Sequence, residues 1–170
     1  MVWSFATLLR NSEVWEVLQH AGWVTTVATT RWLYGLVSVI HYFALFVCIG
    51  TIVLLDLRIL GIADRHQALS SFAGQLRPWT WIGFGSAVVS GFLLFATEAG
   101  DFAAVTPFRV KMLIIVLAVI SALAMEWSVP KWDRAPVIPV TAKLLALISI
   151  VLWLGAILAA VEIAPLTGLG

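Results

Sequence analysis

The chain has 170 residues, of which 62% are hydrophobic and only 11% are charged, and its mean hydropathy is +1.03. Because about a quarter of the residues in soluble domains are charged, this composition excludes an ordinary soluble protein and indicates an integral membrane protein. The net charge of +1 provides no basic surface for nucleic acid, and the single cysteine, Cys48, excludes a disulfide within the chain.

Residues 1–31 form an N-terminal segment that precedes the first long apolar run. Within this segment, residues 11–22 have the pattern of an amphipathic helix. The polar side carries Glu13, Glu16 and His20, and the apolar side carries Val14, Trp15, Leu18, Ala21 and Gly22. This pattern predicts a helix that lies in the membrane interface. The alternative is a soluble cap that packs on the membrane domain.

Four apolar stretches follow, and each is long enough to cross a hydrocarbon core about 30 Å thick. They cover about residues 32–56, 79–97, 107–127 and 140–161. They predict an all-α fold, an integral membrane four-helix bundle over residues 32–162. Pro78 and Pro107 are expected in the first turns of the second and third spans, and Pro165 is expected to end the fourth. Trp153 is the only tryptophan that falls in the middle of a span.

Four spans place both termini on the same face of the membrane. The two loops on the opposite face carry six lysines and arginines, and the terminal face carries four. Because loops rich in lysine and arginine stay in the cytoplasm, this bias favours a multi-pass protein of the bacterial inner membrane with both termini in the periplasm.

Charged residues near the span ends are expected to form clusters, because a charge at the centre of the membrane costs about 2.5–3.5 kcal/mol. At the loop end of the first span, Asp56 is expected to pair with Arg58, Arg77 or Lys143. At the opposite face, the expected cluster contains Glu98, Asp101, Arg109, Lys111 and Glu162.

His41 differs from these residues because it lies well inside the first span, about 13 Å along the helix. Cys48 falls on the same helix face about two turns later. One interpretation is that His41 ligates haem iron or a metal ion inside the bundle. The alternative is a neutral histidine that hydrogen-bonds to an oxygen on a neighbouring helix.

Three residues are candidates for a second ligand to the iron or metal ion that His41 would bind. Met112 lies at about the same depth in the third span, and a His/Met pair is one known arrangement for haem b. His20 could fold over from the amphipathic helix, and Cys48 could join His41 in binding copper. No motif for covalent haem, zinc or phosphate binding is present, so independent catalytic activity is not expected.

Several blocks of the chain resemble a bacterial family of small four-helix membrane proteins that is catalogued as domain of unknown function 6644. The most specific blocks are "DLRILG" at residues 56–61, "GFLLFATEAG" at 91–100 and "PFRVK" at 107–111. The resemblance covers residues 30–160 and implies the four-helix fold but no activity. The family often has a histidine at the end of the third span and an arginine late in the fourth, where this chain has Glu126 and Val161. A looser likeness to copper-resistance and b-type cytochrome membrane domains suggests haem or copper by analogy.

Three hypotheses about function follow from the sequence. The first is a redox or metal-handling membrane protein with His41 as a ligand to haem b or copper. The second is an accessory subunit, or a homo-oligomer, that packs through small-residue stripes such as Gly83/Ala87/Gly91 and Gly155/Ala159. The third is a transporter or proton path that uses Asp56, Glu98 and Glu162.

Overall fold

The structure is a computed structural model that describes residues 12–63 and 66–166. The described part of the chain is built of helices and contains no strand, so the all-α prediction is confirmed. In chain order, the helices are α1 (Ser12–Gln19), α2 (Gly22–Thr29), α3 (Arg31–Leu60), α4 (Leu69–Thr97), α5 (Ala99–Ala104), α6 (Thr106–Asp133) and α7 (Val140–Leu166).

The four long helices α3, α4, α6 and α7 are long and apolar enough to cross a membrane. Each packs on its neighbours in sequence, and α3 also packs on α7, which closes the bundle. The contact between α4 and α6 is the least extensive of the four. The chain is therefore a multi-pass membrane bundle. We name the end with α1, α2 and α5 the upper end, and the end with residues 61–68 and 134–139 the lower end.

Many of the buried positions between the four helices are small residues, while many of the large apolar side chains point outward. The buried positions include Ala44, Cys48, Gly83, Ala87, Ala118, Ala142, Ala146 and Ala156, whereas Phe43, Phe46, Val151 and Leu158 are exposed. Because lipid is as apolar as leucine, close packing of small residues is what favours helix association in a membrane. The exposed apolar surface is the surface that faces lipid.

Gly83 marks the closest approach of α3 and α4. A Cβ atom at this position would lie 2.9 Å from the Cys48 backbone nitrogen and 3.0 Å from the Ala44 carbonyl oxygen. Backbone atoms cannot rotate away as a side chain can. We expect Gly83→Ala to lower the free energy of unfolding by about 1–3 kcal/mol, since overpacking forces the helices apart. Titration with SDS in mixed micelles measures this change.

Gly85 on the same helix supplies the matched control. Nothing lies within 4 Å of the position that a Cβ atom would occupy there. Gly85→Ala should leave stability unchanged or raise it slightly, because alanine favours a helix over glycine by about 1 kcal/mol. Equal effects of the two substitutions would show that Gly83 does not set the helix spacing.

The N-terminal segment packs on the upper end of the bundle. α1 contacts α5, and α2 contacts α3 and α4. Trp15 meets Phe95 edge to face, and Trp23 stacks on Phe92. The Gly100 N–H donates to Gln19 Oε1 at 3.4 Å. The helix predicted over residues 11–22 is present in α1, which covers Ser12–Gln19, and a turn at residues 20 and 21 separates it from α2. Both an interfacial helix and a cap on the membrane domain are compatible with these contacts.

Two of the three predictions about helix ends from proline are wrong. α4 begins at Leu69, and Pro78 lies inside it; α7 continues through Pro165 to Leu166. Pro107 does lie in the first turn of α6, as predicted. The early start of α4 has a tertiary cause: Asp133, at the end of α6, accepts hydrogen bonds from the Leu69 N–H at 2.9 Å and from the Ser70 hydroxyl. An acceptor at a helix start satisfies free N–H groups there.

Candidate functional site

His41 lies in the upper half of the bundle and turns toward α4. Its Nδ1 atom is 3.1 Å from the Ala87 carbonyl oxygen and 3.1 Å from Ser90 Oγ. A carbonyl oxygen can only accept a hydrogen bond, so Nδ1 carries the hydrogen and donates it. In the neutral imidazole, the lone pair is therefore on Nε2. The described residues give Nε2 no hydrogen-bond partner.

Gly91 provides the surface on which the imidazole rests. A Cβ atom at this position would lie 2.8 Å from His41 Cε1 and 3.3 Å from His41 Nδ1. Only glycine lets the ring approach α4 closely enough to reach the Ala87 carbonyl. The Lys111 ammonium group of α6 is within electrostatic range of the ring. The ring is thus fixed in position and tautomer by residues of the neighbouring helix.

The candidate second ligands do not surround His41. The Met112 side chain is 46% exposed and faces outward from α6, and His20 is exposed at the end of α1. Cys48 is on the same helix as His41, but two turns of helix separate the two residues by about 10 Å along the axis. No group of three metal-binding side chains lies together among the described residues. His41 is therefore left as a single candidate ligand in this part of the described structure.

The expected pairing of Asp56 with a basic residue is wrong. Asp56 is 0% exposed, and neither of its carboxyl oxygens has a hydrogen-bond partner in the part of the chain that the structure describes. Arg58 donates instead to the Gln67 carbonyl oxygen at 2.7 Å. Arg77 forms an ion pair with Glu126. Neither arginine therefore pairs with Asp56, which turns into the helix interface.

Asp56 belongs to a buried polar group between α3 and α7. The Ser149 hydroxyl of α7 faces the Asp56 carboxyl, although the two do not reach the geometry of a hydrogen bond. Trp153 follows Ser149 by one turn, and its indole N–H is also buried without a partner among the described residues. Asp56, Ser149 and Trp153 thus give the bundle three polar side chains that are nearly fully buried and lack partners within residues 12–63 and 66–166.

A cavity of about 170 Å³ lies beside this group, in the lower half of the bundle. We call it the lower cavity. α3, α4 and α6 form most of its wall, and α7 contributes Trp153. Its apolar side chains include Phe84 and Met125. The ion pair of Arg77 and Glu126 also lies on its wall, and Trp81 Nε1 donates to Glu126 Oε2 at 3.2 Å. Neither this ion pair nor the lower cavity was predicted from the sequence.

The cluster of charged residues expected at the upper end stays a prediction, because two of its five side chains are not described. Arg109 donates from Nε and Nη2 to the Ala103 carbonyl oxygen, at 3.2 and 2.9 Å, and so binds the end of α5. Lys111 is half-buried near His41, and Glu98 lies within electrostatic range of Tyr34. The side chains of Asp101 and Glu162 lie outside the described residues.

Comparisons with known proteins assign no role to these groups. No protein-family model matches the chain, and neither curated proteins nor solved structures give a match. The resemblance to domain of unknown function 6644 therefore stays a prediction.

Proposed function

We propose that the chain binds haem b through Nε2 of His41 and serves in electron transfer across or within the membrane. The observation that supports this proposal is the hydrogen bond from His41 Nδ1 to the Ala87 carbonyl oxygen at 3.1 Å. Histidines that ligate metals usually donate their other ring N–H to a carbonyl or carboxylate, which fixes the tautomer and the ring orientation. His41 has this arrangement, and its Nε2 has no partner among the described residues.

Haem b fits the site better than copper does. A haem iron is held by its porphyrin and needs as little as one strong ligand from the protein. Copper sites require several protein ligands, and neither Cys48 nor a second histidine reaches His41 among the described residues. When bound, haem b would supply one-electron chemistry. The residues of this chain would hold the iron at Nε2 and keep the ring oriented through Ala87 and Ser90, and Gly91 would leave room for the ring beside α4.

The absorption spectrum of the purified protein tests this proposal. We expect a Soret band after expression with sufficient haem, and we expect His41→Ala to abolish it. His20→Ala is the matched control and should retain the band, because His20 is exposed on the N-terminal cap. A protein without visible absorption and without iron by elemental analysis would overturn the proposal, and so would a band that persists in His41→Ala.

An accessory subunit of a larger membrane complex is the second candidate function. A shallow apolar groove of about 400 Å³ lies on the surface between α3 and α4. Its lining contains Val37 and Ile40 from α3, and Gly85, Ser86 and Val89 from α4. Small residues at the base of a groove let another transmembrane helix approach closely. Native mass spectrometry from mild detergent tests this candidate: a partner or second copy that Gly85→Leu releases supports it, and a monomer throughout contradicts it.

We also propose that the chain resides in the bacterial inner membrane with its termini in the periplasm. Single cysteines at residues 12 and 67 test the orientation in intact cells. Cys48 gives little background, because it is 1% exposed inside the bundle. A membrane-impermeant maleimide should label position 12 and spare position 67. The opposite labelling pattern would reverse the topology.

A further inference from the structure

The lower cavity is elongated along the helices that line it. On α4, its lining runs from Ser70 to Phe84, which is about 21 Å at the rise of an α-helix. On α6, its lining runs from Val119 to Pro130, which is about 16 Å. A volume of about 170 Å³ over this length is a narrow cleft rather than a round chamber. Such a cleft fits an extended hydrocarbon chain that lies parallel to the helices.

The lower cavity opens at the outer surface between α4 and α6. The contact between these two helices is the least extensive contact between neighbours in the bundle. Lining residues are exposed on both sides of the opening, with Arg77 and Trp81 on α4 and Pro130 on α6. Cys48 and Trp153 are buried and belong to the closed back wall. A lipid molecule can therefore enter from the bilayer without crossing the bundle.

The polarity of the wall changes along the length of the lower cavity. Toward the middle of the bundle, the wall contains apolar side chains such as Phe84 and Val119. Toward the lower end, it contains the ion pair of Arg77 and Glu126. From Arg77 to Thr97, the last residue of α4, the helix rises about 30 Å, which is the thickness of a hydrocarbon core. The charged end of the cavity therefore lies at the depth of the lipid head groups.

Arg77 has hydrogen-bond donors left for an anionic group. A guanidinium group has five N–H donors, and a single carboxylate cannot accept from all of them. The Glu126 carboxylate also accepts a hydrogen bond from Trp81 Nε1 at 3.2 Å. The Arg77 side chain is 65% exposed, so its remaining donors are accessible to a ligand.

The charged residues at this end of α4 and α6 have an excess of positive charge. Three are basic and two are acidic: Arg77, Lys131, Arg134, Glu126 and Asp133. Arginine binds phosphate oxygens through paired hydrogen bonds, and basic pockets between transmembrane helices bind anionic lipid head groups. The opening of the lower cavity therefore favours an anionic head group over a zwitterionic one.

We propose that the lower cavity binds one acyl chain of an anionic phospholipid, with the lipid phosphate at the Arg77 guanidinium. An α-helix of a second copy is about 10 Å wide and does not fit into a cleft of this volume. The acyl chain fills space between α4 and α6, where the two helices make few direct contacts. The proposal rests on the lower cavity alone and does not depend on haem at His41.

Lipid titration of the purified protein in mild detergent, followed by native mass spectrometry, tests the proposal. We expect one phosphatidylglycerol to bind about fivefold more tightly than phosphatidylcholine with the same acyl chains. Arg77→Gln should remove this preference. Glu126→Gln should retain or increase it, because the substitution removes a competing negative charge and frees donors of Arg77. If the ion pair were merely structural, the two substitutions would have the same effect.

Two further variants show whether the lipid binds in the lower cavity. Ala122→Leu places extra side-chain volume on the cavity wall and should abolish binding of this lipid. Lys143→Gln removes an exposed charge of α7 that does not line the cavity, and it should leave the preference unchanged. His41→Ala should also retain lipid binding, so that failure of the haem proposal leaves this result intact.

Three results would overturn the lipid proposal. The first is equal affinity for the two phospholipids. The second is an equal loss of preference in Arg77→Gln and Lys143→Gln, or native affinity in Ala122→Leu. The third is competition by glycerol 3-phosphate, which has the phosphate but no acyl chain and would assign the site to a soluble anion.

Discussion

Asp56→Leu is expected to stabilise the protein by about 1–3 kcal/mol. A protonated carboxyl group that is fully buried without hydrogen bonds destabilises the folded state by about 1–3 kcal/mol, and an ionised one costs more. A leucine at this position removes the unsatisfied oxygens and adds apolar contacts between α3 and α7. The free energy of unfolding, measured by SDS titration in mixed micelles, should increase. Asp56→Asn should have a smaller effect, since an amide is also polar.

Asp133 is the matched control because its carboxylate does have partners. It accepts hydrogen bonds from the Leu69 N–H and the Ser70 hydroxyl at the start of α4. Asp133→Leu should therefore destabilise the protein by about 0.5–2 kcal/mol, the usual cost of losing a helix cap. If Asp56→Leu destabilised the protein to the same extent as Asp133→Leu, the Asp56 carboxyl would have a stabilising partner. A group that destabilises the fold is typical of a functional position in a membrane domain.

Gly91→Ala should displace the His41 ring and lower the free energy of unfolding by about 1–3 kcal/mol. The added Cβ atom would come within 2.8 Å of His41 Cε1, so the ring must move away from α4. That movement breaks the hydrogen bonds of Nδ1 to Ala87 and Ser90. In a haem-loaded protein, the Soret band should weaken or shift with the same substitution.

A double-mutant cycle distinguishes this contact from a general defect in α4. When His41→Ala has removed the ring, Gly91→Ala should cost no further stability, so the two substitutions should be strongly non-additive. Gly35→Ala on α3 is the control for a glycine in open space and should be nearly neutral. Additive effects of His41→Ala and Gly91→Ala would show that Gly91 does not support the ring.

The sequence pattern of α3 predicted part of the environment of His41. The helix face that His41 and Cys48 share was expected inside the bundle, and Cys48 is buried there with 1% of its surface exposed. The pattern also left open a hydrogen bond to an oxygen on a neighbouring helix, and Nδ1 makes that bond. The crossing angle of α3 and α4 determines which carbonyl oxygen accepts this hydrogen bond. The sequence of α3 alone does not predict that Gly91 lies beside the ring at this crossing.

For Asp56, the ion pair that the sequence predicted is wrong. The sequence places Asp56 at the end of the predicted span and two residues from Arg58, which suggests an interfacial ion pair. In the structure, α3 continues to Leu60, so Asp56 lies within the helix and on its buried side. Side chains two residues apart on a helix do not face each other. This rule could have excluded Arg58 as the partner, but it could not have shown that Asp56 faces Ser149 without a hydrogen bond.

The sequence by itself determined that the chain crosses a membrane as four helices, because apolar length and the scarcity of charge depend on composition along each segment. It also determined which small residues are available for packing. Only the tertiary structure decided that Asp133 of α6 accepts the Leu69 N–H at the start of α4, that Arg77 pairs with Glu126, and that Trp153 lies on the wall of a cavity. These contacts join residues far apart in the chain, and they depend on helix rotation and crossing, which local periodicity leaves free.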